Sequence, residues 1–356
     1  MKGTSPKPMG KRAAPPPSSR RSVGLKELAA HLGLSQTTVS RVMNGSAGEF
    51  RIAAVTQQRV LKAAGLLNYE PNSFARGLRS KRSYTVGVMV PEISEGYSAL
   101  VLGGVEDTLL QAEFFYFVVS HRHRRELLEG YPRLLLSRSV EGIIAVDTPI
   151  REALPVPVVS VSGHRHGRGL LAIELDHLTA ADFALSHLRD LGHRRIAFIR
   201  GQSFSSDTRP RWEAIRRVCS TLGLRIHPEL VVQLEGTEPG SRPGCDAMQK
   251  LLAAGHRFTA VFAFNDASAM GAIAALHENG LHVPRDVSVV GFDDIPSAAT
   301  MHPGLTTVHQ PLREMGQTAA ASLLRLIREG VGRTPQPSIL VAPRFVKRHS
   351  TAKAAT

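Results

Sequence analysis

Two short segments near the amino terminus place apolar side chains at helical spacing. They cover residues 25–32 and 36–43, and a third helical pattern follows over about 54–67. Gly33 suits the tight turn between the first two helices, and Ser35 suits the N-cap of the second. The pattern predicts a small helical domain built on a helix-turn-helix. Its inward positions are Leu28, Ala29, Leu32, Leu34, Val39 and Val42.

The second predicted helix turns its polar residues outward. These residues are Gln36, Thr37, Thr38, Ser40 and Arg41. In a DNA-reading helix-turn-helix the second helix enters the major groove, and its first residues meet base edges. The polar face is therefore typical of DNA recognition. One more short helix is predicted over 73–78, and we expect it to order only when something packs on it, because isolated helices shorter than about 12 residues are marginal.

From Tyr84 onward the pattern changes to strands that alternate with helices. Strands are predicted near 85–90, 115–119, 142–146, 156–161, 195–199, 231–234, 260–264 and 287–292, and helices near 98–111, 124–137, 178–191, 210–222, 244–254, 267–279 and 311–329. Such alternation predicts parallel sheets covered on both faces. This number of units suits an α/β core of two doubly wound parallel-sheet subdomains, in which ligands bind beyond the carboxyl ends of the strands.

The net charge of +14 is concentrated at one end of the 356-residue chain. Residues 1–83 hold 15 Lys and Arg against three acidic residues, whereas the remainder is nearly neutral. A basic N-terminal region joined to a nearly neutral remainder predicts that residues 1–83 bind a polyanionic partner. Residues 1–21 are basic and rich in proline without hydrophobic periodicity, so they predict a disordered tail.

Several classes of protein are disfavoured by what the sequence lacks. The longest apolar runs are strand-length, far below the roughly 20 residues that span a bilayer. The basic N-terminus has no apolar core of a secretory signal, so we expect a cytoplasmic protein. Cys219 and Cys245 lack metal-ligand spacing, and the motifs GxxxxGK[ST], HExxH and GxSxG are absent. We expect no enzyme activity, no cofactor and no metal site.

Six segments, in order along residues 23–350, resemble the lactose repressor/galactose repressor (LacI/GalR) family of bacterial transcription regulators. They read LAAHLGLSQTTVSRVMNG, NYEPNSFARGLRS, LGHRRIAFI, FNDASAMGAI, VPRDVSVVGFDDIP and LTTVHQPLREMG. The resemblance implies a helix-turn-helix headpiece, a hinge helix and an effector-binding core folded like periplasmic sugar-binding proteins. It also implies a repressor controlled by a small molecule, with an exported or cytoplasmic sugar-binding protein without DNA function as the alternative.

The resemblance assigns DNA-contacting residues by position. Base reading falls to Gln36, Thr37 and Arg41, whose side chains suit adenine, the thymine methyl and guanine. The residues expected at the DNA backbone are Ser35, Thr38, Ser40 and Asn44. Ala75 and Leu78 belong to the implied hinge helix, and Leu78 would wedge into the minor groove. Two such helices lie side by side on DNA, which predicts a homodimer and a near-palindromic operator.

The implied effector-binding residues are Tyr97, Asp176, Arg211, Asn265 and Asp293. A sugar or sugar derivative is the expected ligand. This sequence departs from the family at Glu95–Ser98, at an aromatic position near Pro239, and in the unusual HRHRR after Val119. The extra His and Arg would suit an anionic ligand. The loop over residues 45–55 is also about three residues longer than the family's usual loop, and its conformation is left open.

The predicted organisation has a tail (1–21), a headpiece (22–70), a hinge and linker (71–83), a core (84–350) and a tail (351–356). Within the core, an N-subdomain is expected over about 84–190 and 310–336, and a C-subdomain over about 191–308 and 338–350. Chain crossings between them are expected near Asp190, Val308 and Pro337. The last residues, HSTAKAAT, hold no leucine heptads, which favours a dimer over a tetramer.

Overall fold

The computed structural model describes residues 23–69, 82–93, 96–162, 170–330 and 338–354. By its internal contacts the chain divides into two compact units, Met1–Arg82 and Ser83–Thr356. No helix within the described ranges is long and apolar enough to cross a membrane.

The described part of the first unit contains three helices. They are α1 (Leu25–Leu32), α2 (Gln36–Met43) and α3 (Ala54–Leu66). The ends of α1 and α2 follow from local chemistry: Gly33 adopts a left-handed φ of 66° after α1, and the Ser35 hydroxyl accepts from the backbone N–H of Thr38 at 3.0 Å. The bounds predicted for α1 and α2 are confirmed.

A compact apolar cluster holds the three helices together. Leu28, Val39 and Val60 are fully buried, one from each helix. Because apolar burial is the main favourable term in folding and this cluster is small, each of these side chains carries a large share of the headpiece's stability.

The long loop between α2 and α3 is ordered by contacts at both of its ends. The backbone N–H of Ser46 donates to the Arg41 carbonyl at 3.1 Å, and that of Ile52 donates to the Ala47 carbonyl at 3.0 Å. Ala47 is buried in the headpiece cluster. The turn between these anchors exposes Phe50. The conformation that the sequence left open is thus a turn pinned to the headpiece core.

The second unit alternates strands and helices. Its helices are α4 (Tyr97–Gln111), α5 (Arg125–Ser137), α6 (His177–Asp190), α7 (Thr208–Thr221), α8 (Arg242–Ala253), α9 (Asp266–Glu278), α10 (Pro296–Thr300) and α11 (Leu312–Glu329). Its strands are β1 (Thr85–Val90), β2 (Phe115–Ser120), β3 (Gly142–Val146), β4 (Val158–Val161), β5 (Leu171–Leu175), β6 (Ile196–Arg200), β7 (Val231–Gln233), β8 (Ala260–Ala263), β9 (Ser288–Asp293), β10 (Thr306–His309), β11 (Ile339–Val341) and β12 (Arg344–Val346).

The strands form two six-stranded sheets, one in each lobe. The first lobe has the order β11-β5-β4-β3-β1-β2, and all of its neighbouring strands are parallel. The second lobe has the order β12-β10-β9-β8-β6-β7, with β12 antiparallel to β10. The predicted fold class, a helical headpiece and an α/β core of two doubly wound subdomains, is confirmed.

Two of the predicted chain crossings are displaced. Helix α6 was expected to end the first lobe, but it packs on α7, and its buried residues join the apolar cluster of the second lobe. The first crossing therefore lies at Asp176, between β5 and α6, and not near Asp190. Strand β11 pairs with β5, so residues 339–341 belong to the first lobe. The third crossing falls between β11 and β12, after Pro337, which lies outside the described residues.

Candidate functional site

Gln36 and Thr37, two of the residues predicted to read DNA bases, are exposed to solvent on α2. Some of the residues predicted to contact the DNA backbone are bonded to each other: Ser35 and Thr38 have hydroxyl oxygens 2.8 Å apart. The Asn44 amide donates to the Ser40 hydroxyl at 3.2 Å. These contacts hold the polar face of α2 in a defined arrangement. Ala75 and Leu78, the predicted hinge residues, lie outside the described residues.

Arg41, the third predicted base reader, stacks on the extended loop. Its guanidinium carbon lies 3.5 Å from the centroid of the Phe50 ring. A cation over an aromatic face at this distance is attracted by about 0.5–1 kcal/mol at an exposed site. Phe50, in the loop between α2 and α3, thus restrains the Arg41 side chain.

A cavity of about 160 Å³ lies in the second unit. Both lobes line it: Pro91 and Asp147 directly follow β1 and β3, while Phe264 and Asp293 lie at the ends of β8 and β9. This is the position that doubly wound sheets use for ligands. Of the predicted effector-binding residues, four line this cavity, namely Tyr97, Arg211, Asn265 and Asp293.

Asp176 does not line the cavity. It is the N-cap of α6, where its Oδ1 accepts from the backbone N–H groups of Leu178 and Thr179, both at 3.1 Å. Its Oδ2 accepts from the Thr179 hydroxyl at 2.6 Å. A carboxylate is well placed there because the first backbone N–H groups of a helix lack partners within the helix. The structure thus gives Asp176 a capping role outside the cavity lining, and its predicted ligand contact stays a prediction.

Arg211 is buried in the wall of the cavity with 3% of its surface exposed. Its guanidinium carbon lies 3.5 Å from the centroid of Phe292 and 4.5 Å from that of Phe264. It donates to the Phe264 carbonyl oxygen, and its Nη2 donates to Asp207 Oδ2 at 3.3 Å. A buried cation of this kind needs a counter-ion and hydrogen-bond acceptors, which Asp207 and the Phe264 carbonyl supply, whereas its buried Nε has no hydrogen-bond partner.

Asp293 ends β9 in a strained backbone conformation, with a φ of 105°. It is buried, and its Oδ1 has no hydrogen-bond partner. Burial holds the pKa of its carboxyl well above the ordinary value, although the Arg211 charge opposes that shift. Strain and an unsatisfied buried oxygen in one lining residue indicate a site completed by a ligand.

Tyr97 contributes an aromatic ring and a hydroxyl to the cavity. The hydroxyl is hydrogen-bonded to the Ser162 hydroxyl. Burial, followed by the charges of Asp207 and Asp147, raises the pKa of the phenol well above its ordinary value. Tyr97 therefore keeps its proton and serves as a hydrogen-bonding group.

Direct contacts join the two lobes across the cavity. Asp147 Oδ1 accepts from the backbone N–H of Ser206 at 2.9 Å and from its hydroxyl at 2.7 Å. The rings of His123 and Phe204 have centroids 3.7 Å apart. Sequence reasoning missed these residues as site residues, although the position of Asp147 directly after β3 was a usable signal. From the HRHRR segment, His123 alone lines the cavity.

Asp266, directly after the lining residue Asn265, braces this end of the second lobe. Its Oδ2 accepts from the backbone N–H of Ile295 at 2.9 Å, and its Oδ1 accepts from the Thr307 hydroxyl at 2.6 Å. Burial raises the pKa of its carboxyl from 3.8 to about 7. The hydrogen bonds to Ile295 and Thr307 are therefore made by a carboxyl whose pKa lies near neutral pH.

A pH-dependent stability follows from Asp266. Its folded pKa of about 7 exceeds the unfolded value of 3.8, so the free energy of unfolding of the core should fall as pH rises from about 4 to about 7. Asp266→Asn should flatten this slope in part, since Asp293 adds a contribution of the same sign. Thermal unfolding between pH 5 and 7 measures the slope. Asp246→Asn, at an exposed pair with Arg242, is the control, and an unchanged slope in Asp266→Asn would contradict the assignment.

Comparison with known proteins agrees with this architecture. Residues 24–72 match the family described as bacterial regulatory proteins, lacI family, and residues 185–351 match a periplasmic binding protein-like domain. The HTH-type transcriptional repressor PurR of Pasteurella multocida (strain Pm70) is 30% identical over 314 residues, which cover 86% of this chain and 92% of that protein. Catabolite control protein A of Priestia megaterium is 28% identical over 340 residues, covering 93% and 100%.

Solved structures give the same result. The lac repressor dimer bound to operator and the anti-inducer ONPF has a TM-score of 0.83 and 27% identity, and the match covers 93% of this chain and 100% of that chain. The complex of the transcriptional regulator CelR with cellobiose has a TM-score of 0.68 and 27% identity, covering 92% and 99%.

A helix-turn-helix unit followed by a two-lobed, periplasmic-binding-protein-like core defines a class of DNA-binding transcriptional regulators. The chain belongs to the lacI family of these bacterial regulatory proteins.

Proposed function

We propose that the protein is a transcriptional repressor that binds a near-palindromic operator as a homodimer and is controlled by a small-molecule effector. The observation that carries the proposal is the cavity lined by strand ends of both lobes, in a chain that also exposes polar residues on the second helix of a helix-turn-helix. A ligand that touches both lobes favours one of their arrangements over another. The proposed switch is such a rearrangement, passed on to the DNA-binding segments.

The relatives support these partners. The lac repressor structure is a dimer bound to operator DNA and ONPF, and the CelR structure contains cellobiose. By similarity we assign this chain a double-stranded DNA operator, a second copy of itself, and a carbohydrate or sugar derivative. A sugar-binding protein without DNA function is the weaker alternative, because it leaves the polar face of α2 unexplained.

Base reading is assigned to Gln36, Thr37 and Arg41. A glutamine amide can pair with adenine through two hydrogen bonds, a guanidinium can do so with guanine, and a threonine methyl can meet that of thymine. Phosphate contacts are assigned to Ser35, Thr38, Ser40 and Asn44, which fix the position of the helix without selecting bases. Ala75 and Leu78 remain the proposed hinge contacts, with Leu78 entering the minor groove.

Effector contacts are assigned to Tyr97, Arg211, Asn265 and Asp293. Asp147 joins the proposed site because it links the lobes through Ser206. Effector and operator must change each other's affinity by the same factor, typically worth about 1–3 kcal/mol. A saturating ligand that leaves operator affinity unchanged would show that the cavity has no regulatory role.

Substitution of Gln36 tests the reading helix. An operator is first selected from random double-stranded DNA with the full-length protein. Gln36→Ala should then weaken binding to that operator about 10- to 100-fold, since a bidentate base contact is worth about 1–3 kcal/mol. Fluorescence anisotropy at constant salt measures the dissociation constant.

Gln58→Ala is the matched control, because Gln58 is exposed on α3. Its operator affinity should stay within about twofold of the starting protein, as expected for a surface position without base contacts. Nonspecific DNA binding should change little in either variant, because phosphate contacts supply it. Equal losses in the Gln36 and Gln58 variants would remove Gln36 from the reading surface.

A further inference from the structure

The ligand cavity is acidic, although the whole protein carries a net charge of +14. The carboxyl groups of Glu92, Asp147, Asp207, Asp293 and Glu238 line it. Among the lining residues that the structure describes, Arg211 is the cationic side chain. His123 also lines the cavity, but burial lowers the pKa of its imidazole, which favours the neutral form. Within the described part of the lining, the carboxyl groups therefore outnumber the one permanent cation.

The charge of Arg211 is already used within the protein. Its guanidinium donates to Asp207 and to the Phe264 carbonyl oxygen, and it lies over the Phe264 and Phe292 rings. A phosphate or carboxylate ligand would compete with Asp207 for this cation and would also meet the remaining carboxyl groups. Like charges in one buried site repel strongly, so the cavity disfavours an anion.

The carboxylate oxygens of Asp293 and Asp147 differ in their hydrogen-bond partners. Asp147 accepts two hydrogen bonds from Ser206. Asp293 has 5% of its surface exposed, and its Oδ1 lacks any hydrogen-bond partner. A buried carboxyl in this state either keeps its proton or gains a cation, because an isolated buried charge is costly. Asp293 thus has an acceptor oxygen available to a positive group of a ligand, in addition to the Arg211 charge that already acts on its carboxyl.

The size and remaining chemistry of the cavity restrict the rest of the ligand. Its volume of about 160 Å³ is below the roughly 300 Å³ at which drug-sized pockets begin, which suits a single ring. Tyr97 and Phe204 offer aromatic faces, which can pack against a sugar ring or an ammonium group. The Asn265 side chain adds a polar amide at the N-cap of α9.

We propose that the cavity binds a monosaccharide-sized polyol that carries an ammonium group, such as an amino sugar, with the ammonium group against Asp293. The assignment of this ligand as the effector rests on the function proposed above. The hydroxyl groups of the ligand meet Asn265 and the outer edge of Arg211, and the ammonium group takes the place of the Asp293 proton.

Calorimetric titration of the full-length protein with matched sugars tests the charge preference. The probes are three amino sugars, their parent sugars and the 6-phosphates of those parent sugars. The amino sugars are glucosamine, galactosamine and mannosamine, and the parents are glucose, galactose and mannose. At least one amino sugar should bind ten or more times more tightly than its parent, and the phosphates should bind more weakly than the parents. The proposal is overturned if no amino sugar binds, or if a parent sugar or a phosphate binds as tightly as the amino sugar.

Asp293→Asn locates the ammonium group. This variant should reduce the ratio between amino sugar and parent sugar affinity to about one, and thermal unfolding establishes that it remains folded. Glu213→Gln, exposed on α7 and paired with Arg209, is the control that should keep the ratio. If Asp293→Asn is unfolded, Glu238→Gln at the exposed rim should still lower the ratio by about two- to threefold. If the ratio of amino sugar to parent sugar affinity is unchanged in folded Asp293→Asn, or in Glu238→Gln when that variant is used, the ammonium group does not lie against Asp293.

Operator affinity separates this inference from the proposed function. An amino sugar that binds without changing operator affinity would support the charge preference and contradict control by the effector. A neutral sugar that changes operator affinity at a concentration at which its amino derivative has no effect would support control by an effector and contradict the charge preference.

Discussion

Leu28→Ala is expected to abolish specific DNA binding while the core stays folded. Leu28 has no exposed surface and lies in the apolar cluster shared by α1, α2 and α3. Removing a buried leucine side chain costs about 2–5 kcal/mol, and a domain this small rarely has more than about 3–5 kcal/mol from its core. The headpiece should therefore unfold at 37 °C. Calorimetry that resolves the core transition, together with operator binding, measures both effects.

Leu61→Ala is the matched control for this experiment. Leu61 lies on α3 with 55% of its surface exposed, so truncation removes little buried area. Operator affinity in this variant should stay close to that of the starting protein. If Leu28→Ala keeps its operator affinity within about threefold, the headpiece does not depend on this cluster as its burial indicates.

The second large effect is expected at Arg211. In Arg211→Ala, the Phe264 carbonyl and Asp207 lose their guanidinium partner, and the Phe292 ring loses the cation packed on it. The variant also removes the proposed hydrogen bonds from Arg211 to the effector. Because hydrogen bonds to charged groups contribute about 1.5–3 kcal/mol each, the loss of two of them should lower ligand affinity about 100-fold or more. The operator affinity of the ligand-free protein should remain, and the response to effector should disappear.

Two further variants sharpen the interpretation of the Arg211 result. Arg211→Lys keeps the charge but loses the planar group that fits between two aromatic rings, and we expect it to lose the response as well. Arg209→Ala removes an exposed arginine of the same helix, paired with Glu213 at 2.8 Å, and should respond normally. Titration of operator binding with effector measures each response. A normal response in Arg211→Ala would exclude Arg211 from the site.

Some elements of this fold can be predicted from local sequence, and others depend on distant contacts. Helices α1 and α2 were predicted to the residue because their ends are marked by Gly33 and by the Ser35 cap, both of which act locally. Strand β10 was missed because Thr306 and Thr307 interrupt its apolar pattern. Both threonines are buried, and each hydroxyl has a hydrogen-bond partner that is distant in sequence. The Thr307 hydroxyl donates to Asp266, and the Thr306 hydroxyl accepts from the backbone N–H of Arg348.

The site shows the same division. Arg211 and Asp293 were identified by resemblance, and they line the cavity. Asp176, assigned to the effector site by the same resemblance, lies outside the cavity lining and caps α6, where the backbone N–H groups of Leu178 and Thr179 donate to its carboxylate. Asp147 was not identified, since its role depends on Ser206 in the other lobe.

The sequence by itself determined the helix-turn-helix, the two-lobed α/β class and the concentration of basic charge at one end, since all three arise from local periodicity and composition. Only the tertiary structure decided where the chain crosses between the lobes, which loop residue restrains Arg41, and which carboxyl in the cavity lacks a partner. These features depend on contacts between residues far apart in the chain. The periodicity of one segment reports only which of its own residues are buried. It does not show which distant residues they contact once the chain has folded.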